Sequence, residues 1–236
     1  SRSSGSDVSV LEFLGNAVPF GLSQLTGLII GSADLWVGAL VLGRNELAFY
    51  AAARQLLMLV ALPLQAAQLA FVAPLARTAA NGSSDELQAL VTKAARRATP
   101  PAILAGLILV LVPKQLLGLA FPDGYEAAGL SLVILATGQM FNAFTGLCGQ
   151  ALSMSGHERV VTRVNIAAAL GLPILALGGA QLFGIAGLAL SVMTITFALF
   201  GSLWWIAKQQ LGVQTQFRLI DRTAIASARP LERLSR

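Results

Sequence analysis

The sequence has one cysteine and one histidine in 236 residues, and only 11% of it is charged. With Cys148 alone, neither an internal disulfide framework nor a thiolate metal site can be built. With His157 alone, there is no histidine metal cluster, and its expected place at a helix end leaves no hydrolytic triad either. The charge content falls far below the roughly 25% of a soluble domain. Apolar residues take its place, at 56% of the chain with a mean hydropathy of +0.73.

The apolar residues fall in six stretches: 17–42, 47–72, 99–121, 129–152, 164–182 and 184–207. A spanning helix needs about 20 mostly apolar residues, and each stretch meets or approaches that length. Nearly all basic residues lie in every second gap. Arg2 precedes the first stretch, and Arg77, Lys93, Arg96 and Arg97 follow the second. Arg159 and Arg163 follow the fourth, and Lys208, Arg218, Arg222, Arg229, Arg233 and Arg236 follow the sixth. The alternate gaps hold only Arg44 and Lys114. Translocated loops are poor in Lys and Arg, so the pattern predicts a multi-pass membrane protein with both termini cytoplasmic. The sequence pI near 10.1 then reflects topology and attraction to anionic membrane lipids rather than nucleic acid.

The expected fold is all-α and polytopic: a cytoplasmic linker over 1–14, a six-helix transmembrane lobe over 15–208 and a basic cytoplasmic tail over 209–236. Residues 1–6 lack the apolar core of a secretory leader. Connections on the non-cytoplasmic side are short, with turns at Gly43–Glu46, Pro122–Gly124 and Phe183–Gly184. Asn81–Ser84 followed by Asp85 and Glu86 reads as a turn and a helix cap, opening a short amphipathic helix. Pro100–Pro101 suits the start of the third span, and Pro113–Lys114 interrupts its outer part. Pro19, Pro63 and Pro173 fall inside helical stretches.

Three stretches carry a polar or glycine-lined face. At 100° per residue, Gln24, Gly27, Gly31, Asp34 and Gly38 lie within roughly 80°. Tyr50, Arg54, Ala61, Gln65 and Gln68 lie within about 60°, and Gln139, Asn142, Gly146, Gln150 and Ser153 within about 80°. Polar groups in hydrocarbon turn toward protein or water, so these faces either pack helices together or line a shared aqueous cavity. Asp34 lies about 12 Å deep from the first turn and Arg54 about 9 Å, heights that allow a salt bridge between antiparallel neighbours. A structural pair and a ligand-contacting role remain open for them.

Several segments resemble one family in their order and spacing. They are Gly21–Leu25 with Asp34, Phe49–Arg54, Pro74–Leu75, Phe121–Ala128, Ala151–His157 with Arg159, and Phe183–Ala189. Over roughly 15–210 the chain resembles the C-terminal lobe of bacterial polysaccharide flippases, in the multidrug/oligosaccharidyl-lipid/polysaccharide exporter superfamily. The resemblance implies alternating-access translocation of undecaprenyl-diphosphate-linked oligosaccharide across the bacterial inner membrane, not an enzymatic reaction. Family members have two six-helix lobes, so a lone second lobe implies a missing N-terminal lobe or second chain as partner. The substrate-binding candidates are Arg54, Asp34, Gln24, Gln65, Gln139, Asn142 and Gln150, with Arg54 on phosphate and the amides on sugar hydroxyls. No cofactor is expected, and coupling to protons or sodium ions stays open. The competing reading is a cation-coupled multidrug antiporter of the same superfamily, with Asp34 as the coupling carboxylate. A lipid-carrier-dependent glycosyl-transferring enzyme fits less well, since the short outer loops offer only Glu46, Asp123 and Glu126.

Overall fold

A computed structural model describes residues 10–80, 84–145 and 148–210, with side chains in the first helix described from Leu25 onward. Among the described residues the only regular elements are helices. They are α1 (Val10–Val41), α2 (Arg44–Ala80), α3 (Ser84–Leu111), α4 (Pro113–Ala120), a 3₁₀ turn (Tyr125–Ala128), α5 (Gly129–Thr145), α6 (Cys148–Met154) and α7 (Glu158–Gln210). The start of the expected linker, the Asn81–Ser83 turn, Gly146 and the tail from 211 lie outside the described residues. α1 already begins at Val10, inside the segment expected as linker.

Among the described residues, four helices are long and apolar enough to cross a membrane: Arg44–Phe71, Thr92–Leu111, Tyr125–Thr145 and Glu158–Gln210. Leu25–Val41, the part of α1 whose side chains are described, is apolar as well. The surface suits a bilayer, since Leu40, Leu69 and Leu119 are each more than 80% exposed. In water such exposure would forfeit roughly 25 cal/mol per Å² of apolar surface.

α7 is two limbs rather than one rod. Phe183 (φ −131°, ψ 16°) and Gly184 (φ 56°, ψ −137°) leave the helical region, and the positive φ at Gly184 is one that glycine adopts without steric cost. The Ser191 hydroxyl lies 2.8 Å from the Leu175 carbonyl, sixteen residues earlier. In a straight helix those residues would stand about 24 Å apart along the axis, so the chain reverses here. The limbs meet backbone to backbone: a Cβ on Gly187 would stand 1.9 Å from the Gly179 carbonyl oxygen. The turn expected at Phe183–Gly184 is present.

The other turns have equally local causes. α6 ends in a Schellman motif: the Gly156 N–H donates to Ser153 O at 3.3 Å and the His157 N–H to Leu152 O at 3.0 Å, with Gly156 at φ 82°. Pro113 opens α4 after Val112 leaves the helix, as the proline interruption predicts. Tyr125 stacks on Phe121 at 5.3 Å and meets the edge of Phe49 at 5.1 Å, tying that turn to α2.

The expectation for Pro100–Pro101 is corrected. α3 runs unbroken from Ser84 through both prolines, so no separate amphipathic helix precedes the span. Proline's fixed φ fits a helix, and its cost is the missing amide donor and a clash one turn back, which packing can outweigh. Here Thr99, 2% exposed, donates its hydroxyl to the Ala143 carbonyl at 2.9 Å, fastening α3 to α5.

Small residues let the helices approach closely. Ala53 and Val60 of α2, Ala94, Ala102 and Leu109 of α3, and Leu132, Ala136 and Ala143 of α5 form one buried cluster. A second joins Cys148 and Leu152 of α6 to Val161, Leu199 and Leu203 of α7, with Ile30 of α1 packed on it. α1 therefore leans mainly on α7, whereas α2 packs on α3 and α5. α1 and α2, though consecutive, touch sparingly.

Candidate functional site

Where α1 and α2 do meet, they meet through charge. Arg54 Nη1 lies 2.8 Å from Asp34 Oδ1, and Nη2 donates to the Gly31 carbonyl one turn away on α1. The other carboxylate oxygen accepts from the Tyr50 hydroxyl at 2.7 Å. Both oxygens of Asp34 are thus engaged, and its side chain is 4% exposed against 27% for Arg54. The spacing explains the arrangement. Tyr50 and Arg54 sit four apart on α2, and Gly31 and Asp34 three apart on α1, so each pair shares a helix face.

The salt bridge expected from helix heights is present. Tyr50's part in it was not legible from periodicity, although the residue stood on the polar face of α2. Tyr50→Phe is expected to cost about 1.5–3 kcal/mol, the usual worth of a hydrogen bond to a charged group. Equilibrium unfolding in detergent measures it, and an unchanged midpoint would exclude the hydroxyl as a significant partner.

Beside the cluster lies a cavity of about 260 Å³ bounded by α1, α2, α5 and both limbs of α7. Asp34, Arg54, Gln139 and Asn142 line it together with Gly27 and Gly31. The Asn142 amide donates to Gln139 Oε1 at 2.9 Å, which orients the two amides as a unit. Thr196 adds a hydroxyl whose proton is committed to Val192 O at 2.8 Å, leaving it an acceptor toward the cavity. Apolar side chains such as Leu57, Leu135, Leu172 and Phe200 supply the remaining wall.

Four of the seven candidate residues therefore converge: Asp34, Arg54, Gln139 and Asn142. Two do not. Gln65 is exposed further along α2, and Gln150 lies on α6; neither lines this cavity. The Gln24 side chain lies outside the described residues. Thr196 and the wall from α7 were missed, because single hydroxyls that bond their own helix leave no stripe. Among the described residues no group of three His, Cys, Asp or Glu side chains could hold a metal ion.

The chain matches no protein-family model, no curated protein and no solved structure.

Proposed function

We propose that this chain is the C-terminal lobe of a bacterial inner-membrane flippase that moves undecaprenyl-diphosphate-linked oligosaccharide by alternating access. The observation that carries the reading is the cavity itself. A guanidinium and two amides face one space enclosed by four helices, in a molecule whose outer surface is apolar. Helix packing alone explains one or two polar contacts, but not donors left directed into open volume.

In this reading there are six crossings: α1, α2, α3 with α4, α5 with α6, and the two limbs of α7. The basic helix ends and both termini face the cytoplasm. The cavity side meets a second lobe, supplied by a missing N-terminal half or another chain. Arg54 has N–H groups to spare beyond Asp34 and Gly31 for phosphate oxygens, and Gln139 and Asn142 suit sugar hydroxyls. The antiporter alternative asks Asp34 to exchange a cation. Its oxygens are already held by Arg54 and Tyr50, which favours the flippase.

Arg54→Lys tests the assignment while keeping a charge opposite Asp34. A lysine is a point donor and cannot hold Asp34, Gly31 and a phosphate together. Glycan export in cells that depend on this protein is expected to fall about tenfold or more, the equivalent of 1.4 kcal/mol. Normal export at normal protein level would refute the assignment.

A further inference from the structure

One carboxamide stands on the outside of the bundle with nothing to bond. Gln55 follows Arg54 on α2 and is exposed, and no described residue hydrogen-bonds its side chain. At 100° per residue it points about 100° away from the Arg54 face. Ala53, Val60, Leu64 and Phe71, which bury α2 against the bundle, lie about 140–180° from it. Ala51, Leu59, Leu62 and Ala66 lie within about 40° of it, and all four are exposed. Gln55 is thus the centre of the outward face of α2.

Its depth makes that position costly. Gln55 lies about 16 Å along the axis from Arg44 and about 24 Å from Phe71, the ends of the apolar part of α2. In a crossing of a slab about 30 Å thick, the side chain reaches neither water surface. An amide has two N–H donors and an accepting oxygen, and hydrocarbon satisfies none of them. An amide on a facing helix does, and a small residue nearby lets the backbones approach; Ala51 is one turn away. The partner must both donate and accept, at this depth. A second copy inserted the same way meets both conditions, because identical residues stand at identical depth and an amide complements itself. About a two-fold axis along the membrane normal, each Gln55 donates to the other's carbonyl, an isologous contact. Between Leu47 and Val72 the only charge is Arg54, turned to Asp34, so no charge on this face meets its own image.

We infer that the chain self-associates through the Gln55 face of α2, two copies side by side joined by a reciprocal amide pair. The inference goes beyond the proposed function. It uses the crossing of α2 but not the cavity or its occupant, and a second lobe seated over the cavity meets the Arg54 face instead.

Energy transfer between donor- and acceptor-labelled copies of the full chain in phosphatidylcholine vesicles tests it. Gln55→Leu is expected to weaken association about tenfold. Its unfolding temperature in detergent is expected to stay unchanged, because the side chain projects outward. Gln55→Asn keeps an amide and is expected to associate more tightly than Gln55→Leu. Oxidative cross-linking in the same vesicles locates the face: Ala51→Cys is expected to form a disulfide-linked dimer, and Leu104→Cys, 61% exposed on α3, to stay monomeric. The parent chain is the blank, since its one cysteine, Cys148, is buried. Energy transfer no higher than random proximity gives, or equal transfer for the parent and Gln55→Leu, overturns the inference. Equal dimer yields from Ala51→Cys and Leu104→Cys do the same. In native membranes, Leu59→Cys carrying a benzophenone reports the neighbour by mass. An adduct of twice the chain's mass supports the second copy, and an adduct to a different chain overturns it.

Discussion

Arg54→Ala is expected to destabilise the folded chain by about 3–5 kcal/mol, the cost of removing one partner from a buried ion pair. The cause lies in what remains. Asp34 is 4% exposed, and without the guanidinium its carboxylate keeps only the Tyr50 hydroxyl. On insertion scales an unpaired charge at a helix centre costs about 2.5–3.5 kcal/mol, and here the Gly31 carbonyl loses its donor as well. Asp34→Asn should cost less, because Arg54 is 27% exposed and can turn toward the cavity. The double variant Asp34→Asn/Arg54→Ala should recover much of the loss, since neither residue then carries charge. Unfolding midpoints of the four proteins in one detergent give the coupling energy directly. Additive losses would mean that the pair does not hold α1 to α2.

The second large effect is expected at the reversal of α7. In Gly187→Leu the new Cβ would lie 1.9 Å from the Gly179 carbonyl oxygen and 2.5 Å from its carbon. Those are backbone atoms, so no rotamer change relieves the clash and the limbs must part. Overpacking costs about 1–3 kcal/mol where side chains can yield, and more is expected where they cannot. Separation would also break the contact between the Ser191 hydroxyl and Leu175 O. Gly178→Ala is the matched control, with nothing within 4 Å of its Cβ position. Folded yield by size-exclusion chromatography reads both. A monodisperse Gly187→Leu protein with native stability would show that the limbs are not in backbone contact.

The sequence revealed faces more readily than partners. The Asp34–Arg54 pair was legible because two antiparallel helices joined by a short turn place charges by counting, at 1.5 Å per residue. The reversal at Phe183–Gly184 was legible because a turn signal splits two apolar runs. Tyr50 was visible only as a member of a stripe, since periodicity says which way a side chain points and nothing of what it meets. Gln65 shares a face with Arg54, but α2 carries that face past the end of the cavity. Gln150 shares the polar face of Gln139 and Asn142 by counting, but it stands beyond the stretch of that face that lines the cavity. The prolines of α3 misled for a different reason. The helix-start rule weighs a lost amide, and the Thr99–Ala143 bond with its surrounding packing lies far away in sequence.

Those prolines also act as a depth gauge. Pro100 and Pro101 bring no N–H, so the ladder of α3 lacks two rungs at the level of Arg96 and Arg97. Hydrocarbon supplies no replacement donors; in the proposed topology water does, with the waterline close to that level. From Pro100 to Leu111 the helix then climbs about 18 Å of a slab some 30 Å thick. The remaining distance matches the roughly 12 Å length of α4, the length that the proposed crossing of α3 with α4 asks of that short segment.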